Sequence, residues 1–110
     1  MGTKSLFIEF MGDSPVIKVL DYLLTERELD FSITDMAENS GIGRATLYRI
    51  WDNLIKNQII FHTRDIGKAK LFKLNTKNVK IKKLIEIYDM LTLEELKKHS
   101  EMQKIKVATH

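Results

Sequence analysis

Three consecutive stretches decide the fold of this chain: Ser32-Ile-Thr-Asp-Met-Ala-Glu-Asn-Ser-Gly41, then Ile42-Gly-Arg-Ala-Thr-Leu-Tyr-Arg-Ile-Trp-Asp-Asn-Leu-Ile-Lys56, then Ile59-Ile-Phe-His-Thr-Arg-Asp-Ile-Gly-Lys-Ala-Lys-Leu-Phe-Lys-Leu74. The first reads as a short helix. Ser32 and Asp35 form an approximate capping box, Ile33, Met36 and Ala37 face inward, and Gly41 supplies the positive φ that ends the helix. The second predicts a helix over 44–56, with Leu47, Ile50, Trp51, Leu54 and Ile55 recurring at i, i+3, i+4, i+7 and i+8. Arg44, Thr46, Tyr48, Arg49, Asp52 and Lys56 fall on its other side, and Asn57 is suited to a left-handed terminating position. The third predicts strands over 58–64 and 70–75 joined by the glycine-containing loop Asp65-Ile-Gly-Lys-Ala69.

Toward the N-terminus, Ser5-Leu-Phe-Ile-Glu-Phe-Met11 is rich in strand formers and predicts a strand, broken by Gly12-Asp-Ser14. Ser14-Pro15 then opens a helix with a capping residue and proline at its first position, and Val16, Val19, Leu20, Leu23 and Leu24 form its buried stripe. A polar connection over 26–30 leads to Ser32. Toward the C-terminus, Asn78 caps a helix over 79–91 whose Ile81, Leu84, Ile85, Tyr88 and Leu91 share one face. Thr92-Leu-Glu-Glu95 resembles a fresh capping box, a place for that helix to break and restart. Residues 101–110 hold few apolar side chains and read as a frayed tail. The expected organisation is an α+β unit over 1–75 with an N-terminal strand, a C-terminal helix over 76–100, and the tail.

Composition narrows the function classes. A chain of 110 residues with 44% hydrophobic and 30% charged residues is an ordinary soluble domain. No apolar run approaches the length of a transmembrane helix, the N-terminus lacks a signal-peptide pattern, and Leu6 stands where a myristoylation motif needs Ser or Thr. The absence of cysteine excludes disulfides and thiolate metal sites and fits a cytoplasmic protein. Net charge is only +3, but it is segregated. Residues 1–42 hold three Lys/Arg against eight acids, residues 43–73 seven against two, and residues 74–110 eight against five. Positive charge therefore gathers on the second helix and the hairpin, as a polyanion-binding face requires.

Charge alone fits a solvated surface equally well; it is the order helix, glycine turn, helix and basic hairpin that points to double-stranded DNA. A helix entering the major groove needs an apolar inner face for anchorage and a long, polar outer face. Arg44 and Arg49 suit guanine edges or phosphates, Thr46 a phosphate or thymine methyl, and Tyr48 a phosphate through its hydroxyl. Arg64, Lys68 and Lys70 around Gly67 put cations on a tight loop next to that helix, although charged hairpin tips also keep small sheets soluble. Ser32 and Thr34 sit at a helix N-terminus that favours phosphate, and capping explains Ser32 equally well. Trp51, inside the apolar stripe, reads as core rather than as a stacking platform. The face carrying Ile81, Leu84, Ile85, Tyr88 and Leu91 is either core cover or a subunit contact, and a homodimer is favoured because so small a domain gains from one.

Catalysis has little to stand on. His62, His99 and His110 are scattered with no second ligand at helical spacing, so no metal is expected. Gly41-Ile-Gly43 lacks the preceding strand and third glycine of a nucleotide fingerprint, and no nucleophile elbow or phosphate loop occurs, so neither a cofactor nor an enzymatic activity is expected.

The run Ile33-Thr-Asp-Met-Ala-Glu-Asn-Ser-Gly-Ile-Gly-Arg-Ala-Thr-Leu-Tyr-Arg49, with Leu54-Ile-Lys-Asn-Gln-Ile-Ile60, resembles the winged helix-turn-helix of prokaryotic transcription regulators. Within that group it looks most like the small MarR-like and ArsR-like proteins common in archaea. The resemblance covers about residues 14–74. It implies that Arg44, Thr46, Tyr48 and Arg49 are recognition-helix positions, that Arg64, Lys68 and Lys70 belong to the wing, and that a dimer binds palindromic operators. Two departures stand out: Gly43 replaces the usual capping Ser or Thr, and Asn57 replaces the usual glycine before the wing. The cysteine and histidine clusters of metal-sensing relatives are absent, and a small-molecule effector is left open. The expected function is a sequence-specific DNA-binding transcriptional regulator; the alternatives are a winged-helix protein-interaction module and a non-specific architectural DNA binder.

Overall fold

The computed structural model describes residues 5–108, with side chains as far as residue 101. Its elements are α1 (Leu6–Met11), α2 (Pro15–Thr25), β1 (Asp30–Ser32), α3 (Ile33–Ser40), α4 (Arg44–Lys56), β2 (Ile60–Ile66), β3 (Ala69–Leu74) and α5 (Val79–Ala108). This is the α+β winged helix-turn-helix, a three-helix core with a hairpin wing and an added C-terminal helix.

Local chemistry accounts for most helix boundaries. Ser14 accepts a hydrogen bond from the Ile17 amide ahead of Pro15, and Ser32 accepts one from the Asp35 amide. At the end of α3, Gly41 takes φ 72°, its amide bonds the Glu38 carbonyl, and the Ile42 amide bonds the Ala37 carbonyl. That double closure satisfies two carbonyls the helix would otherwise leave open and turns the chain sharply into α4. The same closure ends α4, one residue later than expected. Gln58, not Asn57, takes the positive φ of 55°, with Gln58 and Ile59 amides on the Ile55 and Leu54 carbonyls. The hydrophobic contact that fixes such a turn falls to Ile59, which packs on the core and sets the phase.

The core gathers Val19, Leu20, Leu23 and Leu24 of α2, Met36 and Ala37 of α3, Leu47 and Leu54 of α4, Ile60, Phe72 and Leu74 of the sheet, and Ile81 of α5. Trp51 packs against it and meets Phe72 edge-on at 4.8 Å between ring centres, as its place in the stripe predicts. Ile55 departs from the stripe and is largely exposed.

Three elements differ from the sequence expectation. Residues 6–11 form a helix, not a strand. Ser5 caps it at the Ile8 amide, Phe7 is buried, and Gly12 at φ 99° closes it. Burial of one aromatic against Tyr88 of α5 outweighs the weak local preference of strand formers. A third strand, β1, lies within a stretch read as a polar connection and a cap, and the antiparallel order is β1-β3-β2. Finally, α5 neither breaks at Thr92 nor frays at 101. It continues to Ala108, and the Thr92 hydroxyl donates back to the Tyr88 carbonyl instead of capping a new helix. Residues 109 and 110 of the expected tail lie outside the described residues.

Candidate nucleic-acid interface

Arg44, Tyr48 and Arg49 are exposed on the N-terminal half of α4, and Thr46 is half-buried among them. Two internal hydrogen bonds organise this face. Arg44 Nη2 donates to the Tyr48 hydroxyl at 2.9 Å, with its guanidinium 5.7 Å from the ring centre, and Arg49 Nη2 donates to the Thr46 hydroxyl at 3.3 Å. Each is a one-turn pairing of the kind helices allow at i, i+3 or i+4. The pairs hold two long cations near the helix surface while leaving most of their donors open. Gly43 precedes them and offers no side chain to cap the helix.

The hairpin beside α4 carries its cations unequally. Lys68 and Lys70 are exposed and make no ion pair among the described residues. Arg64 is bound: Nε and Nη2 donate to the Asp30 carboxylate at 3.0 and 3.2 Å. Thr63 donates to the same carboxylate at 2.7 Å. This convergence follows from an irregularity between His62 and Arg64, where His62 pairs with Phe72 and Arg64 already pairs with Leu71. The extra residue re-aims two successive side chains at β1. Arg64, then Thr63, holds the Asp30 carboxyl below the usual carboxylate range. Across the bulge, His62 Nε2 lies 2.6 Å from Asp65 Oδ1, and the His62 ring meets Phe72 edge-on.

At α3, the Ser32 hydroxyl is spent as a cap on Asp35, while Thr34 is exposed in the first turn. Thr34 with its helix's cap Ser32, and Arg44, Thr46, Tyr48 and Arg49, thus lie on two successive helices joined by the Gly41 turn, with the wing following in sequence.

The five residues read as either core cover or a subunit contact face the chain's own core. Ile81 is 1% exposed in the chain's own core, and Leu84, Ile85, Tyr88 and Leu91 pack against that core. The stripe packs within the chain, where α1 as a helix brings Phe7 onto Tyr88, while its last member, Leu91, also borders the exposed groove. Among the described residues, the large apolar side chains that α5 leaves exposed are Val79, Ile87, Met90, Leu93 and Leu96. Ile87, Met90, Leu91 and Leu93, with Phe10 of α1, line an apolar groove of about 590 Å³ whose polar edge is Glu94 and Lys97. The spacing of three from Ile87 to Leu96 was visible in the sequence, but the stronger stripe beside it masked it.

Arg27 and Asp89 fix α5 beside this surface. Arg27 donates to both Asp89 oxygens, at 3.2 and 2.8 Å, and to the Leu24 carbonyl, and sits over Tyr88; the Tyr88 hydroxyl is hydrogen bonded to Thr25. These contacts tie α5 to the end of α2.

Among the described residues no group of three or more His, Cys, Asp or Glu is placed to hold a metal, and no helix is long and apolar enough to cross a membrane.

No family model matches the sequence, and no curated protein does either. Solved structures do match in fold. MepR, a transcription regulator of the Staphylococcus aureus multidrug efflux pump MepA, superposes at a TM-score of 0.59 with 18% identity, over 93% of this chain and 79% of that one. Adhesin competence repressor (AdcR) from Streptococcus pyogenes gives 0.59 and 17%, over 79% of this chain; the match spans 64% of AdcR, under two thirds of its length. Sso10a-2, a DNA-binding protein from Sulfolobus solfataricus, gives 0.50 and 15%, over 80% of this chain and 92% of its own. The likeness establishes the winged-helix fold.

Proposed function

We propose that this chain is a sequence-specific, double-stranded-DNA-binding transcriptional regulator that acts as a homodimer in the cytoplasm and carries out no catalysis. The observation that carries the reading is the exposed polar face of α4, with Arg44, Thr46, Tyr48 and Arg49 one glycine turn after α3 and the Lys68–Lys70 wing tip following. In this reading α4 lies in the major groove, the wing reaches the adjacent backbone or minor groove, and Ser32 and Thr34 approach a phosphate. Residues up to about 75 carry the DNA contacts, and the helix beyond carries assembly. The dimer forms through Phe10, Ile87, Met90, Leu93 and Leu96, an apolar surface that the single chain leaves uncovered. The fold neighbours described as a transcription regulator and a repressor support the assignment.

Selection of bound duplexes from a random DNA pool tests it. An enriched palindrome is the expected result. Binding without enrichment favours a non-specific architectural role, the second reading, which gains support because the chain spans nearly all of a neighbour described simply as a DNA-binding protein. Absence of binding even at low salt overturns both and leaves a protein-interaction module.

A further inference from the structure

The N-terminus of α5 is joined to the C-terminus of α4 by one side chain that works in both directions. Asn78 Oδ1 accepts the Lys80 amide at 3.0 Å, capping α5. Its Nδ2 donates to the Asn57 and Gln58 carbonyls at 3.1 and 3.0 Å, the last carbonyls of α4 and its closing turn. Asn75 supports the same junction, donating to the Gln58 carbonyl at 3.1 Å and accepting the Lys77 amide through Oδ1. The junction is built around a non-glycine residue at positive φ, Gln58, a conformation that persists where its surroundings hold it. A second polar anchor of α5, Asp89 on Arg27 with Tyr88 on Thr25 beside it, lies three turns further along and holds the helix to the end of α2. Two anchors about 16 Å apart along one helix fix its direction relative to the winged helix, and Asn78 is the anchor that touches the turn closing α4.

We infer that Asn78 is a positioning residue that sets the direction of α4 relative to α5, and thereby the half-site spacing of the DNA this protein selects. The inference rests on the reading of α4 as the recognition helix and α5 as the dimer helix. In such a dimer the separation of the two recognition helices depends on the angle at which each α4 is fixed to its α5. DNA offers half-sites at discrete separations of about 3.4 Å per base pair, so a rigid junction selects one spacing and a loosened one accepts several. The chemistry calls for asparagine in particular, because the position uses an acceptor and a separate two-hydrogen donor on different atoms. Aspartate retains the cap with no donor, and serine has only one hydroxyl hydrogen, on the same atom that caps.

The test is random-duplex selection with the full chain, comparing wild type with Asn78→Ser and Asn78→Asp, alongside thermal unfolding of each. The expected result is one spacing for wild type, and for both variants the same half-site letters over a broadened range of spacings. Inserting one base pair between half-sites is expected to weaken wild-type binding on the order of tenfold and to weaken the variants distinctly less. Variants that lose thermal stability but keep the wild-type spacing overturn the inference and leave the DNA-regulator reading intact. A wild type that enriches no paired half-sites overturns the reading of a dimeric regulator, and the inference with it. Should Asn78→Asp fail to fold because its carboxylate faces two carbonyls, Asn78→Ser, which adds no charge, decides the matter.

Discussion

Arg64 and Asp30 form a two-point ion pair, Nε on Oδ2 at 3.0 Å and Nη2 on Oδ1 at 3.2 Å, between a wing strand and the short strand β1. The pair changes what the wing offers a polyanion. A carboxylate at this distance cancels most of the arginine's field beyond the wing, so its contribution to phosphate attraction is small although its side chain is exposed. Lys68 and Lys70 are not offset in this way.

The consequence is measurable in salt dependence. Each phosphate neutralised contributes about 0.9 to the slope of log affinity against log salt. Lys68→Ala and Lys70→Ala are each expected to shallow the slope by about that amount, and Arg64→Ala to leave it nearly unchanged. Titration of a fixed duplex at four or five salt concentrations checks this. A full unit of slope lost in Arg64→Ala would show that DNA takes Arg64 from Asp30.

Arg49 is the residue on which base preference is expected to rest most. It holds Thr46 through one donor and keeps the remainder of its guanidinium fork open. Arg49→Ala is expected to cost about 1–3 kcal/mol on the selected site and to relax preference at one position. Binding to the selected site and to a scrambled duplex, measured side by side, checks it. Equal losses on both would make Arg49 a phosphate contact.

Much of this architecture was legible in the sequence because its signals are local. The Ser14-Pro15 start, the Gly41 turn and the α4 stripe each follow from propensities acting within one or two turns, and the structure keeps them, apart from Ile55. What escaped depends on partners distant in the chain. Residues 6–11 become a helix because Phe7 reaches Tyr88, and β1 exists because Asp30–Ser32 meets Leu71–Lys73 across the sheet. Arg64 reads as a free cation until a bulge aims it at a residue thirty-four positions earlier. The two apolar stripes of α5 are both present in the sequence, but which one the chain buries is decided by α1.

Acid weakens the anchoring of α5 in a defined direction. Hydrogen bonding from Arg27 holds the Asp89 carboxyl below the usual carboxylate range, whereas in the unfolded chain it titrates near the ordinary value of about 3.9. A depressed folded-state value means the contribution to stability is fully present above about pH 4 and is lost as pH falls through the lowered value. Asp89→Asn is therefore expected to lower the unfolding midpoint at neutral pH and to converge with wild type in strong acid. Thermal unfolding of both proteins from pH 7 downward checks this. A constant difference across that range would mean the carboxylate's charge has no part in the anchor.

Ile81 and Met90 lie nine residues apart on the same helix, and their substitutions should separate folding from assembly. Ile81 is 1% exposed within the core, so Ile81→Ala removes buried methyl groups and leaves a cavity, at an expected cost of about 2–5 kcal/mol. Met90 is 69% exposed beside Phe10 and Leu93, so in a single chain Met90→Glu disturbs almost nothing. In a dimer closed over that groove it buries an unpaired charge at the contact. Met90→Glu is therefore expected to shift the sedimentation profile from dimer to monomer, while chemical unfolding of the monomer keeps its slope against denaturant. Ile81→Ala is expected to lower the unfolding midpoint whatever the state of assembly. A Met90→Glu protein that remains dimeric would move the subunit contact off this groove.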